Sequence, residues 1–233
     1  CQRPDVIRET DWSPFMLPAL LPVALPLVGG LIVGVSGPLL ESAGNPVSHV
    51  ASIVLVAGSM YALLAFGAGW VARSTRRAAL TAWGVLVVAV VSYYVTKAIL
   101  GDFRVPDFNA PANGAVAFGW NEFLSMIAVW CAFATVLGPV CGLAGYFSGA
   151  GSCPLRPFQR LPFQLLIPAV VSVETTMRLI YEASGPDRAV VRPVWTVARL
   201  LSIALAFLFI AIAVVRTWRS RPTAASSAAP PPS

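Results

Sequence analysis

Long apolar stretches separated by short polar segments divide the 233-residue chain. A helix needs about 20 apolar residues to cross roughly 30 Å of hydrocarbon, because it rises 1.5 Å per residue. Five stretches reach this length, at about residues 48–72, 78–100, 118–147, 161–182 and 194–215. The pattern therefore predicts at least five transmembrane helices.

A sixth apolar stretch, residues 15–40, precedes these five, so the six stretches are numbered from it in chain order. Prolines recur at every fourth position around its start, at 14, 18, 22 and 26. An internal proline removes one backbone hydrogen bond and clashes with the preceding turn of a helix. We therefore expect a regular helix to begin near Pro22 or Pro26, after a lead-in at the membrane interface. From Pro22 to Leu40 there are 19 residues, which is just enough to span.

The composition supports a lipid environment for these helices. Hydrophobic residues make up 57% of the chain, charged residues only 11%, and the mean hydropathy is +0.76, whereas about a quarter of the residues in a soluble domain are charged. We expect an all-α, polytopic bundle of six transmembrane helices in the cell membrane, formed by residues 15–215. Residues 1–14 are expected to form a cytoplasmic or interfacial segment, and residues 216–233 a disordered cytoplasmic tail.

Basic residues are distributed unevenly between the polar segments. Three lie in the segments after the third and fifth stretches, at positions 104, 188 and 192. Ten lie in the termini and in the segments after the second and fourth stretches, at positions 3, 8, 73, 76, 77, 156, 160, 216, 219 and 221. Because basic loops stay in the cytoplasm, both termini are predicted to be cytoplasmic, which requires an even number of spans and favours six. The net charge of +6 thus indicates topology, and no nucleic-acid partner is expected.

Three ionisable residues share one face of the fifth stretch. Glu174, Arg178 and Glu182 follow one another at four-residue steps in VSVETTMRLIYE, so they stack along one side of a helix. A charge near the bilayer centre costs about 2.5–3.5 kcal/mol on insertion scales. We expect Arg178 to pair with the glutamates on a face that points into the bundle. If this is a simple ion pair, exchanging Glu174 and Arg178 should restore much of the stability that Glu174→Gln removes.

Further polar residues are predicted to lie toward the same, outer side of the membrane. Together with the pair on the fifth stretch they form a hypothetical binding site, the charged cluster, which consists of Glu174, Arg178, Glu122, Asn121, Lys97 and Arg199. Two functions stay open. The protein binds or transports a small solute through this outward-facing cluster, or it is a structural or regulatory membrane subunit in which the charged pairs only hold the bundle together.

Glycines at four-residue spacing mark faces on which helices can approach closely. Gly30 and Gly34 lie in the first stretch, and Gly138 and Gly142 lie in the fourth. Close packing inside the bundle accounts for them, and docking of a membrane protein partner is the alternative. The dipeptide Gly138-Pro139 is also a candidate hinge.

The sequence lacks the residues that the common catalytic sites require. His49 is the only histidine, and the four cysteines show no CxxC spacing, so no metal site is expected. Ser148 beside Gly149 resembles part of the nucleophile loop of rhomboid-type serine proteases, but no histidine follows to act as the base. Phosphate-binding and dinucleotide-binding motifs are missing as well. We expect no cofactor and no catalytic residue.

Three resemblances to known membrane proteins bear on the interpretation. The segment ETTMR resembles half of the EExxxR motif of the CAAX-protease-like family, but Val173 replaces the first glutamate. The order of SAGNPVSHVASIVLVAG, VVSYYVTKAILG, GPVCGLAGYFSG and VSVETTMRLIY resembles that of uncharacterised six-helix actinobacterial integral membrane proteins, which implies a topology and no mechanism. In size and helix number the chain is also similar to the substrate-binding subunits of energy-coupling-factor vitamin transporters, which dock a partner through small-residue seams.

Overall fold

The computed structural model describes residues 17–106, 116–149, 157–181 and 188–219. These residues form seven helices, which are α1 (Leu17–Ser42), α2 (Pro46–Leu55), α3 (Gly58–Trp70), α4 (Thr75–Leu100), α5 (Trp120–Ser148), α6 (Pro157–Tyr181) and α7 (Arg188–Arg219). Two short strands, β1 (Arg104–Pro106) and β2 (Val116–Phe118), pair antiparallel between α4 and α5. The predicted N-terminal segment lies outside the described residues, as does the tail beyond Arg219.

Five of the helices are long and apolar enough to cross a membrane, and the bent pair of α2 and α3 adds a sixth if it is one span. The five apolar segments are Val23–Ser42, Thr75–Leu100, Trp120–Ser148, Phe158–Tyr181 and Val191–Trp218. An all-helical chain with five to six such helices has the character of a multi-pass membrane protein.

Helix α1 begins at Leu17, earlier than the start near Pro22 or Pro26 that the prolines predicted. Residues four apart lie on one side of a helix. The missing N–H groups of the prolines therefore fall in one row, and the other sides of the helix keep their hydrogen bonds. The apolar part of this helix nevertheless begins at Val23, close to the predicted start of the span.

The second apolar stretch, which the hydrophobic pattern predicts as one transmembrane helix, is broken. Helix α2 ends at Leu55, α3 begins at Gly58, and the two helices are bent by 54°. Ala57, the residue before α3, has extended backbone angles (φ −60°, ψ 137°). At 1.5 Å per residue α2 is about 15 Å long and α3 about 20 Å long, so the break falls well inside the stretch.

Glycines of α1 lie directly against α4. A Cβ atom on Gly30 would lie 2.7 Å from the carbonyl oxygen of Val85, and one on Gly34 would overlap Ala89 and Ser92. Both contacts advance by four residues in the same direction along the chain, so α1 and α4 run parallel. Their C-terminal ends therefore meet at one end of the bundle.

Glycines of α5 also lie directly against α4, nearer to its N-terminal end. A Cβ atom on Gly138 would be 2.8 Å from the Cα atom of Trp83, and one on Gly142 would be 2.6 Å from the carbonyl oxygen of Ala78. Helix α5 runs on through Pro139 as far as Ser148. The contacts of the four glycines are thus with helices of the same chain, and their docking of a partner protein stays a prediction.

The core is built from small side chains of α3, α4 and α5. Its buried members are Ala65, Ala68, Ala82, Val85, Leu86, Ala134 and Cys141. A second buried group lies where α6 and α7 meet the break, and consists of Ala57, Val191 and Trp195. The break between α2 and α3 is therefore also a packing site for α6 and α7.

Candidate functional site

The carboxylate of Glu174 binds the start of α3 at the break. Its Oε1 accepts a hydrogen bond from the backbone N–H of Gly58 at 2.8 Å, and its Oε2 accepts one from the N–H of Ser59 at 2.6 Å. Glu174 belongs to α6, and its side chain is only 17% exposed. One side chain thus uses both oxygens to hold the first two residues of a helix that lies 115 residues earlier in the chain.

The N-terminus of α3 needs such a partner because its own sequence supplies none. The first N–H groups of a helix have no partner within the helix, and a preceding Ser, Thr, Asp or Asn usually accepts from one of them. Here that position is Ala57, which makes no side-chain hydrogen bond to the helix. The helix dipole also places partial positive charge at this end. A carboxylate satisfies both requirements, and α6 provides it.

Arg178 completes the unit from the next turn of α6. Its Nε donates a hydrogen bond to Oε1 of Glu174 at 3.1 Å, and its guanidinium lies 4.8 Å from the centre of the Trp195 ring on α7. The Arg178 side chain is 27% exposed, whereas Trp195 is 2% exposed. Attraction between a cation and an aromatic face is worth about 0.5–2 kcal/mol, depending on desolvation. We call Glu174, Arg178 and Trp195, with the Gly58 and Ser59 amides, the break site.

Hydroxyl groups join α6 to α7 about one turn below the break site. The hydroxyl of Ser202 donates to the carbonyl oxygen of Pro168 at 2.6 Å and lies 2.8 Å from the hydroxyl of Ser172. Thr175 is fully buried, and its hydroxyl donates to the carbonyl oxygen of Val171 at 2.7 Å. The Thr175 bond lies within α6, whereas the two Ser202 bonds hold α6, and with it Glu174, against α7.

Lys97, a predicted member of the charged cluster, belongs to a different group of charges. Its Nζ lies 2.9 Å from Oδ2 of Asp102 and 3.9 Å from Oε2 of Glu41, and it also lies 5.8 Å from the centre of the Tyr93 ring. Among the described residues, no ion pair joins Lys97 to Glu174 or Glu122. The expected charged cluster is therefore at least two separate groups.

The remaining predicted residues lie on exposed positions. Asn121 and Glu122 are exposed in the first turn of α5, and Arg199 is exposed on α7. Glu182 lies outside the described residues, so its predicted pairing with Arg178 stays a prediction. Of the predicted cluster, the structure brings together Glu174 and Arg178.

Sequence reasoning missed the residues that give this pair its role. The clearest available signal was the run Ala57-Gly58-Ser59 inside an apolar stretch, where small residues weaken a helix. No local feature, however, identified Glu174 as the partner of these amides. The acidic partners of Lys97, Glu41 and Asp102, were also missed.

The chain was compared with known proteins at the level of family, sequence and structure. No protein-family model, no curated protein and no solved structure matches it. The geometry of the break site is therefore the basis for a function.

Proposed function

We propose that this protein is a six-span subunit of the cell membrane in which Glu174 and Arg178 lock a broken second span to the sixth and seventh helices. The observation that carries the proposal is the pair of hydrogen bonds from the Gly58 and Ser59 amides to Glu174. The charged residues of this unit then have a structural task, and the protein belongs to the structural or regulatory class of membrane subunits.

The six-span arrangement rests on two observations. Helices α2 and α3 together are about 35 Å long at 1.5 Å per residue, enough for one bent span across about 30 Å of hydrocarbon. With that pair counted once there are six spans, and the ten and three basic residues then separate onto opposite sides. Both chain ends lie in the cytoplasm in this arrangement.

A broken span needs a lock because lipid offers no hydrogen bonds. Backbone N–H groups freed at a break must bind protein groups or enclosed water. Hydrogen bonds that involve a charged group contribute about 1.5–3 kcal/mol each. The two bonds to Glu174 therefore stabilise the break by several kcal/mol, and Arg178 offsets part of the cost of keeping the carboxylate charged in a membrane.

The alternative function, binding or transport of a small solute by Glu174 and Arg178, is less well supported by the geometry. Oε1 of Glu174 accepts from both Gly58 and Arg178, and Oε2 accepts from Ser59. A solute that bound the carboxylate would have to displace these donors. The protein itself already occupies the polar surface that a solute would use.

A single substitution with a matched control separates the two functions. Glu174→Gln keeps the size of the side chain but loses its charge and one of its two acceptor oxygens, so it should lower the free energy of unfolding by about 2–4 kcal/mol. Glu122→Gln changes an exposed acid in the first turn of α5 and should lower stability by less than about 1 kcal/mol, because only its interaction with the helix dipole is lost. Unfolding in detergent, followed by circular dichroism, measures both. Unchanged stability of Glu174→Gln, with loss of binding in a metabolite thermal-shift screen, would instead establish the solute-binding function.

The topology has its own test. Fluorescent or enzymatic reporters fused to each end of the full chain should both report the cytoplasmic side. Reporters on opposite sides would refute the six-span arrangement, and they would leave the locking role of Glu174 to be judged by the substitutions above.

A further inference from the structure

Helix α7 lies at the edge of the bundle and packs mainly against α6. The buried share of its apolar segment, Val191–Trp218, is 11%, against 17–33% for the other four apolar segments. Most of the surface of α7 therefore faces the surroundings of the bundle, which are lipid in a multi-pass membrane protein.

Two arginines are exposed on one side of this helix. Arg192 and Arg199 are two helical turns apart, so their directions around the helix axis differ by only about 20°. Thr196 is exposed between them, and its hydroxyl donates to the carbonyl oxygen of Arg192 at 2.7 Å. The same side continues with Ile203 and Ile210, which are also exposed. We call Arg192, Thr196 and Arg199 the α7 basic face.

Arg199 lies well inside the apolar segment of α7. The segment has 28 residues, so it is about 42 Å long and its centre falls between residues 204 and 205. With the segment centred in the bilayer, the backbone of Arg199 is about 8 Å from the midplane, whereas hydrocarbon extends about 15 Å from it on each side. An exposed and unpaired charge at this depth is unfavourable.

The described part of the chain supplies no partner for these two arginines. None of its hydrogen bonds, ion pairs or cation–aromatic contacts involves the side chain of Arg192 or Arg199. Its carboxylates lie outside α7, at positions 41, 102, 122 and 174. Charged residues within membrane spans usually face the bundle interior and pair there. The exposed Arg199 therefore needs a partner from outside the chain.

The direction of the side chain indicates which partner this is. Side chains of a helix lean toward its N-terminus, so Arg199 leans toward the membrane surface at which α7 begins. A long arginine side chain can extend its guanidinium from the hydrocarbon to the headgroups. Phosphate groups lie at that level, and a guanidinium binds phosphate through paired hydrogen bonds. We propose that the α7 basic face binds the phosphate of an anionic phospholipid, with Arg199 as the main donor.

Two positive charges on one face favour a headgroup with net negative charge. Arg192 would repel the choline cation of a zwitterionic headgroup, and it attracts an anionic one. The acyl chains of the lipid can lie along Ile203 and Ile210, on the same side of α7. A carboxylate in the span of a partner helix could also pair with Arg199, but the lean of the side chain toward the headgroups favours phosphate. The proposal rests on the multi-pass character of the chain and is independent of the break site.

Native mass spectrometry of the full chain in detergent, titrated with single lipids, tests the proposal. Phosphatidylglycerol should bind the wild type about fivefold or more tighter than phosphatidylcholine. Arg199→Gln should fold like the wild type, because it removes no bond of the described chain, and its affinity for phosphatidylglycerol should fall about tenfold. Equal affinity of the wild type for the two lipids, or an unchanged affinity of Arg199→Gln, would overturn the proposal.

A matched control separates the face from the net charge of the protein. Arg104→Gln removes one positive charge from an exposed residue of β1, away from α7, and should bind phosphatidylglycerol like the wild type. An equal loss of affinity in Arg104→Gln and Arg199→Gln would show attraction to net charge only, against the proposal.

Two further arms distinguish other partners of Arg199. Inorganic phosphate at millimolar concentration should not displace the bound lipid, and displacement would identify a soluble anion as the ligand instead. The full chain in phosphatidylcholine nanodiscs should show no self-association that depends on Arg199. A dimer that Arg199→Gln dissociates would assign the face to a second copy of the chain, and the lipid proposal would then fail.

Discussion

Exchanging the two charges of the break site tests whether Glu174 acts as an ion-pair partner or as a helix cap. The double substitution Glu174→Arg and Arg178→Glu keeps an ion pair at the same i, i+4 spacing. The sequence alone predicts that this exchange restores much of the stability that Glu174→Gln removes. The structure leads to the opposite expectation, because the carboxylate must stay at position 174 to accept from Gly58 and Ser59.

The magnitudes favour the cap over the ion pair. An i, i+4 ion pair on a helix contributes about 0.2–0.5 kcal/mol. A guanidinium at position 174 has donors only, so the two N–H groups, now bound at 2.8 and 2.6 Å, would lose their acceptors at a cost of about 1–3 kcal/mol each. The helix dipole would oppose the new positive charge by about a further 0.3–1 kcal/mol. We therefore expect the exchange to lower the free energy of unfolding by at least as much as Glu174→Gln.

Reversible unfolding in mixed micelles, followed by circular dichroism, compares the wild type, Glu174→Gln and the double variant. The double variant should not recover the stability lost in Glu174→Gln. Recovery of more than half of that loss would show that the ion pair, and not the cap at α3, is the main interaction of Glu174.

Four further substitutions test neighbouring parts of the structure by the same unfolding measurement. Arg178→Gln should cost about 1–2 kcal/mol, less than Glu174→Gln, because Glu174 keeps both amide donors; a larger loss than that of Glu174→Gln would contradict this ranking. Gly69→Ala should destabilise by about 1–3 kcal/mol because its Cβ would overlap the carbonyl group of Gly142. Gly67→Ala, two residues earlier, meets no atom within 4 Å and should be neutral or stabilise by up to about 1 kcal/mol; equal effects at the two glycines would argue against the close helix contact. Asp102→Asn, in an exposed ion pair, should change stability by less than about 1 kcal/mol, and a larger loss would show that this pair supports the fold.

The helical class and the approximate limits of the apolar helices could be predicted because hydropathy acts over local windows. The helix starts were harder to predict. Each proline taken alone removes a hydrogen bond from a helix, whereas the common four-residue spacing places all of these losses on one side of a helix that begins at Leu17. The packing of Gly30 and Gly34 inside the bundle could also be predicted from the sequence, because small residues at this spacing indicate a helix contact whatever the partner helix is.

The segment between α4 and α5 contains structure that the sequence did not predict. The sequence predicts an all-α chain, yet β1 and β2 pair antiparallel in this segment. Aromatic contacts hold this pair of strands, since the ring centre of Phe103 lies 5.3 Å from that of Phe123 and 6.2 Å from that of Phe118. Such a cluster forms only when the ends of two long helices are adjacent, so the short segment alone gives no signal of it.

The break itself could not have been predicted from local sequence, because its stability comes from residues 115 and 116 positions away. A helix of ten residues followed by one of 13 gives up hydrogen bonds that an unbroken helix would keep, and lipid returns none of them. The break is favourable only after α6 has brought Glu174 to the start of α3 and Trp195 of α7 has covered Arg178. The charges of α6 are costly in lipid by themselves, and so is the uncapped N-terminus of α3. When Glu174 binds that N-terminus, each of the two reduces the cost of the other. A charged pair within a span and a break in another span are therefore parts of one structural solution, and removing either should expose the cost of the other.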